Sequence, residues 1–119
     1  MFKVIIAGSR HYSDYNHLRS TCDRLLRNVV DPIEIVSGGA NGADTLGERY
    51  ASERDLHCTR FAADWKNLGK SAGPARNIQM GDYADALIAF PLGKSKGTLH
   101  MMQYARARGL PVKCITSKS

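Results

Sequence analysis

Short apolar runs closed by glycine or proline alternate along the chain with stretches whose apolar residues recur every three to four positions. Phe2-Lys3-Val4-Ile5-Ile6-Ala7, ended by Gly8-Ser9, is β-branched and apolar, the pattern of a strand buried on both faces, and it is expected at the centre of a sheet. Leu18, Cys22, Leu25, Leu26 and Val29 then form an amphipathic helical stripe, with Ser13 or Asp14 placed to cap it and Pro32 closing the region. Ile33 to Ser37 reads as a second strand, followed by a glycine loop and a helix from about Ala43 to Arg54. A third strand fits His57 to Phe61, and the polar stretch Asp64 to Gly73 leads into a helix opened by Pro74. Ala86 to Phe90 is the fourth strand, Pro91 to Gly97 a loop, Thr98 to Arg108 a helix, and Val112 to Ile115 a fifth strand after Gly109-Leu110-Pro111.

This alternation predicts a single α/β domain over residues 1–119, a doubly wound, Rossmann-like parallel sheet of about five strands with helices on both faces. In such a sheet ligands bind outside the carboxyl ends of the strands, and every loop rich in glycine or charge here follows a strand.

Charge sharpens that picture. The formal charge is +6, and residues 1–60 carry eight basic and eight acidic side chains against nine and three in residues 61–119, so the whole excess lies in the second half. A one-sided excess points to an anionic partner such as phosphate, nucleotide or nucleic acid, or to a basic solvated face. Lys66, Lys70, Arg76, Lys94 and Lys96 fall in the two loop regions, whereas Arg106, Arg108, Lys113 and Lys118 belong to the last helix and the tail. The three cysteines, Cys22, Cys58 and Cys114, lack a CxxC pair, indicate neither a disulfide framework nor a metal site, and read as buried small apolar residues. The apolar runs are too short for a membrane span and residues 1–20 lack a signal-peptide core, so a cytoplasmic protein without a membrane partner is expected.

Four loops carry candidate chemistry. In Ser37-Gly38-Gly39-Ala40-Asn41-Gly42-Ala43-Asp44 the glycines let backbone N–H groups approach an anion at a helix start, although the spacing is neither GxGxxG nor GxxxxGK[ST] and also suits a plain tight reversal. Asp44 is placed to cap that helix or to accept a sugar hydroxyl. Gly8-Ser9-Arg10 offers a small residue, a hydroxyl and a guanidinium. In Asp64 to Asn77, Trp65 suits base stacking or core packing, Lys66 and Lys70 add positive potential, and Arg76 with Asn77 sits in a first helical turn. An Arg there is unfavourable for the helix unless a ligand or a carboxylate such as Asp44 or Asp64 faces it. Pro91-Leu92-Gly93-Lys94-Ser95-Lys96-Gly97-Thr98 is a second phosphate-loop candidate or a solvated basic loop, and His100 beyond it is an acid-base group or a surface residue.

Taken in order, Gly8-Ser9-Arg10, Ser37 to Asp44, Trp65 with Gly69-Lys70 and Ala72 to Asn77, and Phe90-Pro91 with Gly93 and Gly97-Thr98 resemble the YspA-like, cpYpsA-related branch of the SLOG superfamily, from about residue 3 to residue 115. That superfamily is similar in fold to the LOG phosphoribohydrolases and to the Rossmann-like core of the DNA-processing protein DprA. The resemblance implies a nucleotide-binding domain whose two glycine loops hold phosphate and ribose. Its members cleave an N-glycosidic bond of a nucleotide or bind nucleotide-derived signals of the ADP-ribose type, often in conflicts between bacteria and phages. The hydrolases carry GGxGTxxE; here Gly93 to Met101 inserts an extra residue and sets Met101 where that Glu would stand.

The first reading is therefore a binding module without a cofactor, holding a nucleotide or an AMP- or ADP-ribose-type ligand with Arg10, Lys70, Arg76 and Lys94 or Lys96 on phosphate and Trp65 near the base. The second is a phosphoribohydrolase-like N-glycosidase in which Arg76 orients phosphate and Asp44, Glu48 or Asp64 replaces the missing acid. Single-stranded nucleic-acid binding ranks third, because few aromatic residues are available for stacking. A homo-oligomer is expected from the superfamily, while the stripe Leu99, Met102, Ala105 and Leu110 is explicable by packing on the sheet.

Overall fold

Alternate residues of the first strand leave it on opposite sides. In the computed structural model, which describes residues 1–116 and so leaves Lys118 outside the described residues, β1 (Phe2–Gly8) sends Val4 and Ile6 into one buried cluster and Ile5 and Ala7 into another. The first cluster is completed by α1 (Tyr15–Leu26) and α2 (Ala43–Glu53), through Leu18, Cys22, Tyr50 and Ala51. The second is completed by α4 (Ala72–Tyr83) and α5 (Lys96–Ala107), through Met80, Met101, Met102 and Ala105. Both faces of the sheet are covered, as the continuous apolar strands demand.

The other strands are β2 (Ile33–Ser37), β3 (His57–Arg60), β4 (Ala86–Phe90) and β5 (Val112–Cys114), all parallel to their neighbours in the order β3-β2-β1-β4-β5. β1 is central: Ile5 lies opposite Val36 on one side and Leu87 on the other. The chain winds outward from β1 through β2 to β3, then crosses back to start again at β4. The connections after β1 and β4 therefore diverge, which opens a crevice at the carboxyl edge between them.

Three expectations need correction. The stretch after β3 is helical, comprising a short helix α3 (Trp65–Leu68), a 3-10 turn (Gly69–Ser71), and α4, which begins at Ala72 rather than at Pro74. Asp64 caps α3 by accepting the Asn67 N–H at 3.3 Å, and Pro74, third in α4, occupies a first-turn position whose missing N–H breaks no helical bond. Only Cys22 is buried; Cys58 and Cys114 are exposed because β3 and β5 are the edge strands of the sheet. In α5, Met102 and Ala105 pack on the sheet, but Leu99 is 50% exposed. No helix among the described residues is long and apolar enough to cross a membrane.

Candidate functional site

The divergence between β1 and β4 holds a cavity of about 430 Å³, lined by Gly8 to His11, by Lys94 to Thr98, and by Asp44, Met80 and Met101. Beside it, over the ends of β2 and β3, lies a larger space of about 1040 Å³ bordered by Gly38 to Asn41, Arg60, Ala62, Ala63, Trp65, Gly73, Pro74 and His100. Arg10, Ala40, Arg76, Asn77, Lys96 and Gly97 border both, so the two form one groove.

Hydrogen bonds fix its walls. Ser9 is buried; its Oγ accepts the His11 N–H at 3.1 Å and its carbonyl accepts the Ala43 N–H at 3.1 Å, tying the first loop to the start of α2. Gly42 makes that contact possible, since at φ +79° it lies so close to Ser9 that a Cβ would sit 2.2 Å from the carbonyl oxygen. Gly38 sits between two charged side chains: a Cβ there would meet Asp44 Oδ2 at 2.7 Å and Arg76 Cδ at 3.0 Å. Arg76 Nη1 donates to the Gly38 carbonyl at 2.8 Å. Asn77 Nδ2 donates to the Gly97 carbonyl at 3.2 Å and lies 3.1 Å from His100 Nδ1, locking the starts of α4 and α5 together.

The electrostatics of the groove are one-sided. Its margins are the starts of α2, α4 and α5, none of which has a side-chain cap, whereas α1 and α3 are capped by Asp14 and Asp64. The positive ends of three helices thus converge with Arg10, Arg76, Lys94 and Lys96. Against them stands Asp44, only 5% exposed. Burial pushes its carboxyl up to about 6, opposed by the Ala40 amide, which it accepts at 3.3 Å, and by the Arg76 charge. Glu48 is spent elsewhere: it takes two hydrogen bonds from Arg60 and one from Ser37 Oγ, and although burial alone raises it, these bonds hold it below the usual carboxylate value.

Of the residues expected in the site, Gly8, Ser9, Arg10, Gly38, Gly39, Ala40, Asn41, Asp44, Trp65, Arg76, Asn77, Lys94, Lys96, Gly97 and Thr98 border the groove. Lys70, on the 3-10 turn, does not border it; nor do Pro91 and Gly93, while Gly42 acts from behind as a loop tie. Asp44 does not cap α2: Gly42 holds the cap position, and the Asp44 side chain turns back to the Ala40 amide. Arg76 forms no ion pair with Asp44 or Asp64, bonding the Gly38 carbonyl and Asn77 Oδ1 instead. Trp65 is not core; it is 56% exposed at the rim. His100, weighed as a surface residue, borders the groove in contact with Asn77. Arg60 was missed altogether, although its position at the end of the third strand, where every other loop meets the site, was a usable signal.

A model of the YspA, cpYpsA-related SLOG family matches residues 2–68. The gene 61 protein of Mycobacterium phage D29 is 38% identical over 118 residues, covering 94% of each chain. The fold is similar to that of DNA processing protein A (DprA) from Streptococcus pneumoniae, with TM-score 0.78 and 19% identity over 99% of this chain, which spans about half, 51%, of that protein. It is also similar to DprA from Helicobacter pylori, a structure concerned with single-stranded DNA binding, with TM-score 0.71 and 20% identity over 98% of this chain and 66% of that one.

Proposed function

The chain belongs to the YspA, cpYpsA-related SLOG family, and on that premise we propose that its groove binds a nucleotide or nucleotide-derived phosphate compound of the AMP or ADP-ribose type. The observation that carries this reading is the convergence of three uncapped helix starts with Arg10, Arg76, Lys94 and Lys96 around one groove. The small cavity between β1 and β4 suits a phosphate, and the larger space, with Trp65 at its rim, suits a base. The kinship with a phage protein agrees with a role in conflicts between phages and their hosts.

Calorimetric titration with AMP, ADP-ribose and cyclic ADP-ribose isomers tests the reading. Heat from at least one of them is expected, and silence from all of them in folded protein overturns it. A single-stranded oligonucleotide in the same series separates a polymer ligand: a steep loss of affinity with added salt, exceeding that of the mononucleotides, would favour nucleic acid.

A second reading, cleavage of an N-glycosidic bond, draws on Asp44 as a carboxyl in the groove that no cation has claimed. Against it stands Met101, 1% exposed in the position where the related hydrolases carry Glu. Free base released from nucleoside monophosphates, followed by chromatography, decides between binding and turnover.

A further inference from the structure

Asp44 is an anomaly in a groove built for anions. It is a carboxyl nine-tenths buried, bordering the 430 Å³ cavity together with Arg10, Lys94 and Lys96. A carboxylate placed beside a phosphate repels it unless it is neutralised or given another partner. Arg76 is the nearest cation, but its guanidinium is engaged by the Gly38 carbonyl at 2.8 Å and by Asn77 Oδ1 at 3.3 Å, and it forms no ion pair with Asp44. Glu48, the other acid nearby, adds only repulsion.

The acceptor capacity of Asp44 is only partly used. The backbone amides of Ala40 and Gly8 favour its charged form, and an ionised carboxylate has about four lone-pair positions. A desolvated carboxylate in that position favours a ligand group that donates hydrogen bonds while carrying no negative charge. In a compound whose phosphate lies against the cations of the same cavity, the group that fits is a hydroxyl of the adjoining sugar.

We infer that Asp44 is the acceptor for a ribose hydroxyl and so makes the groove selective for ribonucleotide-type ligands over their deoxy counterparts. This rests on the nucleotide reading above and narrows it: an analogue missing the bound hydroxyl lacks the donor that this carboxylate requires, and so does the interior of single-stranded DNA, where the 2′-hydroxyl is absent and the 3′-oxygen is esterified. Asp44 then acts as a specificity residue; the phosphate is held by the cations and the helix starts.

The test is calorimetric titration of the full chain at pH 7.5 with AMP, 2′-deoxy-AMP, 3′-deoxy-AMP and inorganic pyrophosphate, for the wild type and for Asp44→Asn, with folding of each checked by circular dichroism. The wild type is expected to bind AMP about tenfold or more tightly than at least one of the deoxy analogues. In Asp44→Asn that preference shrinks to about threefold or less, while pyrophosphate binds as well as before or better, because a negative charge has left the cavity. Equal affinity for AMP and both analogues in the wild type overturns the inference, as does a preference that survives in Asp44→Asn. Pyrophosphate binding without a ribose preference removes this inference and leaves the anion site standing. Silence from all four probes removes both.

Discussion

Arg60 lays its guanidinium against Glu48, with Nε 2.8 Å from Oε2 and Nη2 2.5 Å from Oε1, and the same Oε2 takes the Ser37 hydroxyl at 2.7 Å. Ser37 Oγ in turn accepts the Gly39 N–H at 3.0 Å, so a carboxylate on α2 sets the position of an amide in the glycine loop. Glu48 is therefore a positioning residue. Glu48→Ala strips the shorter of two acceptors from the fully buried Ser37 hydroxyl, leaving only the Asp44 carbonyl at 3.4 Å, and is expected to lower stability by about 1–2 kcal/mol, whereas Glu48→Gln, which keeps an acceptor, loses less. Urea denaturation measures both; Glu48→Ala as stable as the wild type would remove the clip.

Two glycines with positive φ should be destabilised to very different degrees by a methyl group. At Gly42 a methyl group meets backbone at 2.2–2.6 Å, so Gly42→Ala must part the first two loops and is expected to destabilise by roughly 3 kcal/mol or more, with loss of ligand binding. At Gly93, φ +63°, nothing lies within 4 Å, and Gly93→Ala is expected to show only the conformational term, about 1 kcal/mol. Thermal melts of the pair make the comparison.

Asp44 gives stability an inverted pH dependence. Its carboxyl titrates near 6 in the folded chain, against 3.8 for the unperturbed group, so the native state keeps a proton that the unfolded chain releases first. Its effect is neutral below about pH 4, stability falls as pH rises between about 4 and 6, and the deficit is complete above 6. Asp44→Asn, which keeps an acceptor for the Ala40 amide, should exceed the wild type by on the order of 2 kcal/mol at pH 7.5 and match it below pH 4. The opposite ordering at pH 7.5 would show that Arg76 outweighs burial.

Trp65 and Lys70 lie close in sequence and should part company in binding. Trp65→Ala is expected to weaken nucleotide binding about tenfold, in line with roughly 1–3 kcal/mol for stacking on a base, and to leave the melting temperature nearly unchanged because the ring is exposed. Lys70→Ala, outside the groove, should alter affinity by no more than about twofold. A large loss at Lys70 would mean that the ligand reaches beyond the two cavities.

The sheet was legible because buried parallel strands announce themselves: Val4 to Ala7 and Ala86 to Phe90 admit no polar face, and each ends in a turn signal. Residues 65–73 were not legible as helical, since α3 is one turn held by the Asp64 side chain and shows no apolar period. The exposed cysteines were misjudged for a related reason. Strand pattern does not say which strand is an edge, and strand order is set by tertiary pairing.

Much of the site was legible from glycine, charge and position after a strand. What sequence could not supply was pairing. Nothing in the spacing of Glu48 and Arg60 shows that each spends its charge on the other, nor that Arg76 turns to a carbonyl in preference to Asp44. These choices depend on distances across β2, β3 and α4, which exist only after the sheet is assembled.

The bare helix starts have a thermodynamic corollary. Like charges, Arg10 after β1, Arg76 on the helix after β3, and Lys94 and Lys96 after β4, are gathered at one edge of a molecule measuring 38 × 34 × 26 Å, so each anion taken up relaxes repulsion among segments that are far apart in sequence. Occupancy and unfolding are thereby linked, with stability rising as the logarithm of ligand concentration once the site begins to fill. The melting temperature of this protein becomes a gauge of its ligand, readable in a crude mixture before the compound has been purified.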